Sequence, residues 1–170
     1  MKLRPPDVVV IPSEQDENLP HAGGDYSNQD FRGSDLSGLD LTGANFSNAK
    51  LQNSNLKGAR LRGASFHQAD LTEADLEFAV LGDANLKHAV LLRARLKRAN
   101  LVGVDAAHAD FSEADFYYAR TGHGNFEGAI FKNANLDRAI FRKANLRKAD
   151  LSGAHGQANF EDAVLEGIVK

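Results

Sequence analysis

The side chains that most often carry chemistry are present in this sequence, and what matters is whether their spacing brings them together. Asp25, Asp30, Asp35 and Asp40 recur every five residues, and paired carboxylates are what general acid and base catalysis requires. His88 and His108 could offer two imidazoles to a metal, one or two short of a zinc site. There is no Gly-X-Ser-X-Gly elbow, no glycine-rich phosphate loop and no His-Glu-X-X-His pair. The chain has no Cys, which removes thiol catalysis, disulfides and thiolate-bound zinc. These residues predict no enzyme and call for no cofactor and no metal.

The elements that position these groups follow from the rest of the chain. Its 170 residues fit one domain, and 20 basic against 23 acidic residues give a net charge of −3, too balanced to announce nucleic acid. The apolar run Val8-Val9-Val10-Ile11 is closed by Pro12 and followed by Glu14, Asp16 and Glu17, so it is neither a signal-peptide core nor a membrane span. A soluble, cytoplasmic protein without membrane contact is expected.

A five-residue period organises the sequence. On a grid running from Tyr26 through Phe31, Leu36 and Leu41 to Leu151, Leu or Phe fills 23 of 26 positions, and only Tyr26, Ala106 and Thr121 differ. Two residues earlier Ala fills 19 of 26, and the residue between is Asp or Asn in 17 of 26. Gly is frequent in the last place, as at Gly33, Gly38, Gly43 and Gly58. Five residues advance an α-helix by about 140° net, which would scatter the Leu side chains over every face. In a straight strand, an odd period would turn each Leu opposite to the last. Within one repeat, Ala and Leu share a face while Asp or Asn points away, so each repeat reads as a minimal strand followed by a turn. The chain must corner every five residues with Ala and Leu inside. The number of sides per coil stays open on periodicity alone.

Stretches such as Ala69-Asp70-Leu71-Thr72-Glu73 and Ala134-Asn135-Leu136-Asp137-Arg138, within a run from Asp25 to about Gly167, resemble the pentapeptide repeat family. The resemblance implies an all-β fold, a right-handed quadrilateral parallel β-helix with four repeats per coil. Residues twenty apart would then be stacked neighbours about 4.8 Å apart, and about seven coils would make a rod on the order of 34 Å long. In that frame Asp25, Asp30, Asp35 and Asp40 lie on four different sides and cannot form an acid and base pair. His88 and His108 stack in one outward column as a solvated pair.

Residues 24–167 form the repeat domain. Residues 1–23 stand off the grid, and Pro5, Pro6, Pro12 and Pro20 predict an extended or disordered arm, with Val8 to Ile11 a candidate short strand over the first coil. At the far end the grid slips by one, since Leu151 is followed by Phe160 and Leu165, and a tightened last coil is expected. Val164, Leu165, Ile168 and Val169 there suit either a cap or a homodimer through the terminal coil. Thr121-Gly122-His123-Gly124 is the least repeat-like stretch, and a bulge or loosened corner is expected.

Function must lie in the outward columns. Phe78, Arg98, Tyr118 and Arg138 alternate aromatic and guanidinium groups and would stack as a cation–π column, with Tyr117 beside it. Val90 and Leu92 are read as exposed apolar neighbours. Together these seven residues are the candidate binding patch for an unidentified protein partner. The charged columns Asp75, Arg95, Asp115 and Glu73, Arg93, Glu113 read as ordinary cross-strand stabilisation. The leading reading is a non-catalytic structural or protein-interaction module. An alternative comes from the family, some members of which resemble DNA and bind DNA gyrase. Here the column Asp30, Lys50, Asp70, Val90, Asp110, Ile130, Asp150 is acidic only at every second rung, which argues against it. A third reading assigns anion or nucleic-acid binding to Arg93, Arg95, Lys97, Arg98 and to Arg142, Lys143, Arg147, Lys148.

Overall fold

A computed structural model of the chain describes residues 19–170, so the short strand expected at Val8 to Ile11 falls outside the described residues. The repeat dictates the architecture through its backbone amides, which must all find partners when the core is dry. In the repeat that starts at Phe46, the Phe46 amide donates to Ser65 O (2.7 Å) and the Asn48 amide to His67 O (2.8 Å), both in the next coil. The Lys50 amide donates back to Gln29 O (2.9 Å) in the preceding coil, and the Ala49 amide closes the turn onto Phe46 O (3.0 Å). The fifth amide, that of Ser47, donates to the side chain of Asn45 (3.0 Å). Every one of the 17 Asp or Asn residues at this place in the grid accepts the same bond from the amide two residues on. That acceptor is the physical reason for the Asp and Asn in the sequence pattern.

Parallel bridges join Asp25 to Asn45, Asp30 to Lys50, Asp35 to Asn55 and Asp40 to Arg60, and the same stride of twenty continues along the chain. Four bridged positions therefore make one coil. The strand expected in each repeat is a single bridged residue, because the turn and the inward Ala take up the other outer positions. The bridged residues head four columns: the first side begins at Asp25, the second at Asp30, the third at Asp35 and the fourth at Asp40. Inside, all grid residues from Leu36 to Leu146 are buried, none more than 4% exposed. Phe46 stacks on Phe66 at 5.3 Å and Phe111 on Phe131 at 5.1 Å, so residues twenty apart do pack as neighbours. Among the described residues, no helix is long and apolar enough to cross a membrane.

The turns explain the glycines. Each has a positive φ only at its third residue, as at Gly43 (67°) and Asn48 (58°), the pattern of a type II turn. The bulge expected at residues 121–124 is absent. Bridges Arg120 to Ile140 and Asn125 to Asn145 keep the stride, and Thr121 is fully buried with its hydroxyl donating to Ile140 O (2.9 Å). The missing volume is filled by Phe126, which packs on Phe111, Phe131 and Phe141 at 6.0, 5.7 and 5.5 Å. Gly124 makes this possible, since a Cβ there would lie 2.6 Å from the Phe126 ring. The slip near the end is real: Asn135 pairs with His155 at a stride of twenty, but Ile140 pairs with Asn159 at nineteen. The shortened corner turns at Gly156 (φ 95°), where a Cβ would lie 2.4 Å from the Asp137 nitrogen. Bridging continues to Val169.

Several of the amide-accepting carboxylates titrate low as a result. The Ser27 amide holds Asp25 below the usual aspartate range, and the side chains and then the amides of Ser37, Thr42 and Ser152 do the same for Asp35, Asp40 and Asp150. Asp30, bonded by the Arg32 side chain, is lowered to about 2. A folded-state pKa below the unfolded value near 3.8 means stabilisation that is complete above that value and lost as pH falls through the folded one. The melting temperature should hold between about pH 7 and pH 5 and fall steeply below about pH 4. A melting temperature unchanged down to about pH 2 would contradict this.

Candidate partner-binding corner

The corner between the third and fourth sides carries Gly38, Gly58, Phe78, Arg98, Tyr118 and Arg138 at the third place of successive turns. Left-handed backbone is natural for the two glycines and costs an ordinary residue about 1–2 kcal/mol. Phe78 (φ 59°) and Tyr118 (φ 57°) adopt it, as do Arg98, Arg138 and the non-glycine residues at the same place of the other turns. The rings of Phe78 and Tyr118 are interleaved with cations. The Phe78 ring has Lys57 Nζ at 5.8 Å and the Arg98 guanidinium at 5.8 Å; the Tyr118 ring has Arg98 at 5.9 Å and Arg138 at 5.2 Å. Arg138 also donates to the Tyr118 hydroxyl, a bond that holds its pKa above the ordinary arginine value. Tyr117 meets Tyr118 edge to face at 4.7 Å. At about 0.5–1 kcal/mol per exposed contact, two cations per ring recover only about what the backbone costs. The cation–π contacts thus offset a backbone cost that the other non-glycine turn residues bear without them.

The structure brings together five of the seven expected residues: Phe78, Arg98, Tyr117, Tyr118 and Arg138. It separates the other two. Val90 lies on the second side and Leu92 at the corner after it, the whole third side away from the ladder, and both are partly buried rather than exposed. Their place is taken by Val80 and Ile140 on the fourth side, 37% and 40% exposed. Both stand where most repeats have Asp or Asn, so each gives up an amide acceptor and leaves an apolar side chain in water. Lys57, at the start of the ladder, and Arg120, on the fourth side beside it, join the same surface.

The remaining columns behave as charge ladders. Arg93 pairs with Glu73 (2.8 Å), Arg95 with Asp75 (3.1 Å) and Glu77 (3.4 Å), and Lys97 with Asp115 (3.2 Å). Lys57 also bonds Glu77 at 3.0 Å, and this bond lowers the Glu77 pKa. Arg142 and Arg147 reach Glu161 and Glu166 at 3.4 and 2.7 Å. The first basic cluster is thus neutralised except for Arg98, the second at Arg142 and Arg147 but not at Lys143 and Lys148, and both are spread over several corners. Among the described residues, Arg98 and Arg120 pair with no carboxylate, and Arg138 reaches Asp137 only at 3.9 Å. His88 and His108 stack at 5.3 Å as expected from the column, and His67 joins them edge-on at 5.9 Å. No group of three His, Asp or Glu among the described residues is arranged to hold a metal ion.

Fold and corner together define a parallel β-solenoid built on a five-residue unit. The pentapeptide repeat model matches this chain in 8 copies over residues 23–48, 40–77, 79–117 and 125–155, and the chain belongs to that family. Several solved structures are similar. HetL, a pentapeptide repeat protein involved in heterocyst differentiation regulation from the cyanobacterium Nostoc sp. strain PCC 7120, is 25% identical with a TM-score of 0.58, covering 89% of this chain and 86% of HetL. QnrB1, a plasmid-mediated fluoroquinolone resistance protein, is 21% identical with a TM-score of 0.61 over 86% of this chain and 82% of QnrB1, a likeness of fold. A pentapeptide repeat protein of the Arabidopsis thaliana thylakoid lumen is 32% identical with a TM-score of 0.50 over 72% of this chain and 71% of that one. No curated protein sequence matches the chain significantly.

The balance of backbone cost against cation–π gain can be measured. Phe78→Gly and Tyr118→Gly, which restore the residue found at positions 38 and 58 of the same column, should each shift unfolding free energy by less than about 1 kcal/mol. A loss above about 2 kcal/mol in urea denaturation would make the ladder a structural device.

Proposed function

We propose that this chain is a non-catalytic protein-binding rod, a right-handed quadrilateral β-helix of about seven coils, and that the corner with Phe78, Arg98, Tyr117, Tyr118 and Arg138 is where it meets its partner. One observation carries the reading. Away from the two ends of the described chain, the exposed large hydrophobic side chains are Phe78, Val80, Tyr118 and Ile140, and all four lie on this corner and the side that follows it. Exposed aromatic groups interleaved with arginine are what binding hot spots use. The likeness to HetL, a protein involved in regulation, suits action through a partner. DNA mimicry directed at gyrase is supported less well, because Lys50, Val90 and Ile130 interrupt the acids of the second side and Lys132 pairs with Asp150 at 3.3 Å. Capture from cell lysate with the tagged full chain should retain a protein that the Phe78→Gly, Tyr118→Gly double variant loses. A partner held equally by both would move the site elsewhere on the rod, and recovery of gyrase by both would point to the second side.

The last coil offers a second face, supported by Val164, Leu165 and Val169, which are 44%, 38% and 51% exposed. A homodimer through this coil would cover them and continue the bridging. Sedimentation of the full chain should show a dimer that Leu165→Asp, Val169→Lys converts to monomer. A wild-type monomer at about 100 μM, a concentration at which even a micromolar dissociation constant gives mostly dimer, would exclude it.

A further inference from the structure

We propose that the ladder corner docks an acidic helix, one that presents carboxylates at positions i, i+4 and i+7 along one face. This inference rests on the reading of that corner as a protein-binding surface and adds the chemistry of the partner. The ring faces are already occupied. Phe78 has Lys57 and Arg98 within about 6 Å of its ring, and Tyr118 has Arg98 and Arg138, so a nucleobase or a partner's aromatic group would compete with these cations for the ring faces. What remains free is the outer edge of the guanidinium groups, whose planar fork of donors matches a carboxylate.

The cations of the adjoining columns are paired, although Lys50, Lys143 and Lys148 on other sides and corners are as free of ion pairs among the described residues as Arg98 and Arg120. Arg93, Arg95 and Lys97 are each neutralised from an adjacent coil at 2.8 to 3.2 Å. Arg98 and Arg120 have no carboxylate among the described residues, and Arg138 has Asp137 only at 3.9 Å. With two cations unpaired and the third only loosely paired, the strip carries net positive charge, and the complementary partner is an acidic one.

Their spacing selects the partner's backbone. Arg98 and Arg138 are two coils apart, about 9.6 Å at about 4.8 Å per coil. In an α-helix, residues seven apart share a face and are separated by about 10.5 Å. An extended chain covers a similar distance in about three residues, but residues three apart point to opposite sides. Arg120 lies one coil along from Arg98 on the adjoining side, an axial step of about 5 Å with a sideways offset, which a carboxylate at i+4, about 6 Å along a helix and offset from the i, i+7 line, can meet. Val80 and Ile140 flank the strip on the fourth side and suit apolar residues beside the acidic stripe.

The test uses the full chain and three probes: an Ala- and Leu-based peptide of about 22 residues with Glu at i, i+4 and i+7, its isomer with the same Glu residues dispersed around the helix, and a single-stranded DNA of similar charge. Fluorescence anisotropy should give the striped peptide at least about tenfold tighter binding than the dispersed one. Arg98→Gln, Arg138→Gln should remove that preference, while Lys50→Gln, Lys148→Gln, which alters cations on other sides, should keep it. Equal binding of the two peptides, equal loss in both variants, or tighter binding of DNA through Arg98 and Arg138 would overturn the proposal. The lysate experiment separates the two levels. A partner lost by the Phe78→Gly, Tyr118→Gly variant but kept by Arg98→Gln, Arg138→Gln leaves the corner standing and refutes the acidic helix; a partner kept by both refutes the corner itself.

Discussion

A repeat of five residues has five amides, and its backbone provides partners for four of them: three across to neighbouring coils and one around the turn. The fifth points outward at the start of the turn, and only a short side chain with an oxygen can reach it from the preceding bridged position. Asp and Asn meet that need at little entropic cost, whereas Glu or Gln would have to fold back on themselves. This one bond fixes the order Ala, Asp or Asn, then Leu or Phe. The bridged residue must face out to cap the turn, so both its neighbours face in. Of those, the later one fills the core and the earlier one must be small, because it sits where the chain has just cornered. Where that residue is Gly24 or Gly124, the ring of Tyr26 or Phe126 occupies the space a Cβ would take.

The same constraint ranks the outward residues by what they cost. A cation at the bridged position gives up the amide cap but gains an ion pair from the adjacent coil, as Arg60 does with Asp40 (3.1 Å) and Arg95 with Asp75 (3.1 Å). Such exposed pairs are each worth little, and they come close to offsetting the loss. Val80 and Ile140 give up the cap and gain neither a pair nor burial. Phe78 and Tyr118 accept left-handed backbone and gain contacts of about equal size. Left-handed backbone is common to the turns on every corner, so what sets this region apart is the aromatic residues on its corner and the exposed, uncapped aliphatic residues on the side beside it. A sequence tends to carry such uncompensated departures where something other than folding acts on it.

Much of the fold was legible in the sequence because the period is itself a geometric statement. The core positions, the turn glycines and the shortened step before Phe160 all follow from counting in fives. The ladder of Phe78, Arg98, Tyr118 and Arg138 was legible once residues twenty apart were stacked. Four features were not. The loosened corner at residues 121–124 did not form, because filling a core void depends on ring orientation, and Phe126 could tilt into the space that Ala106 leaves. Val90 and Leu92 looked exposed because outward direction was equated with exposure, while neighbouring coils cover part of each. Val80 and Ile140 were passed over because an aliphatic residue in an alternating pattern draws no notice until its missing amide acceptor is counted. The ion pairs, too, depend on which of two flexible partners is nearer, and Asp115 pairs with Lys97.

Rigidity decides what such a corner can recognise. Arg98 is held between two rings, so ordering its long side chain is largely complete before any partner arrives, and less entropy is lost on binding. The coils also form a ruler with a rise of about 4.8 Å, which a partner must match with its own repeat. Against an α-helix, two coils fall short of seven residues by about 0.9 Å, and the mismatch doubles over four coils. Side chains can absorb the first discrepancy by leaning but not the second, so a matched contact can extend over about three or four coils and no further. The ladder has that length. It begins after Gly38 and Gly58, which offer no side chain, and ends at Arg138, one coil before the corner at Gly156 breaks the register.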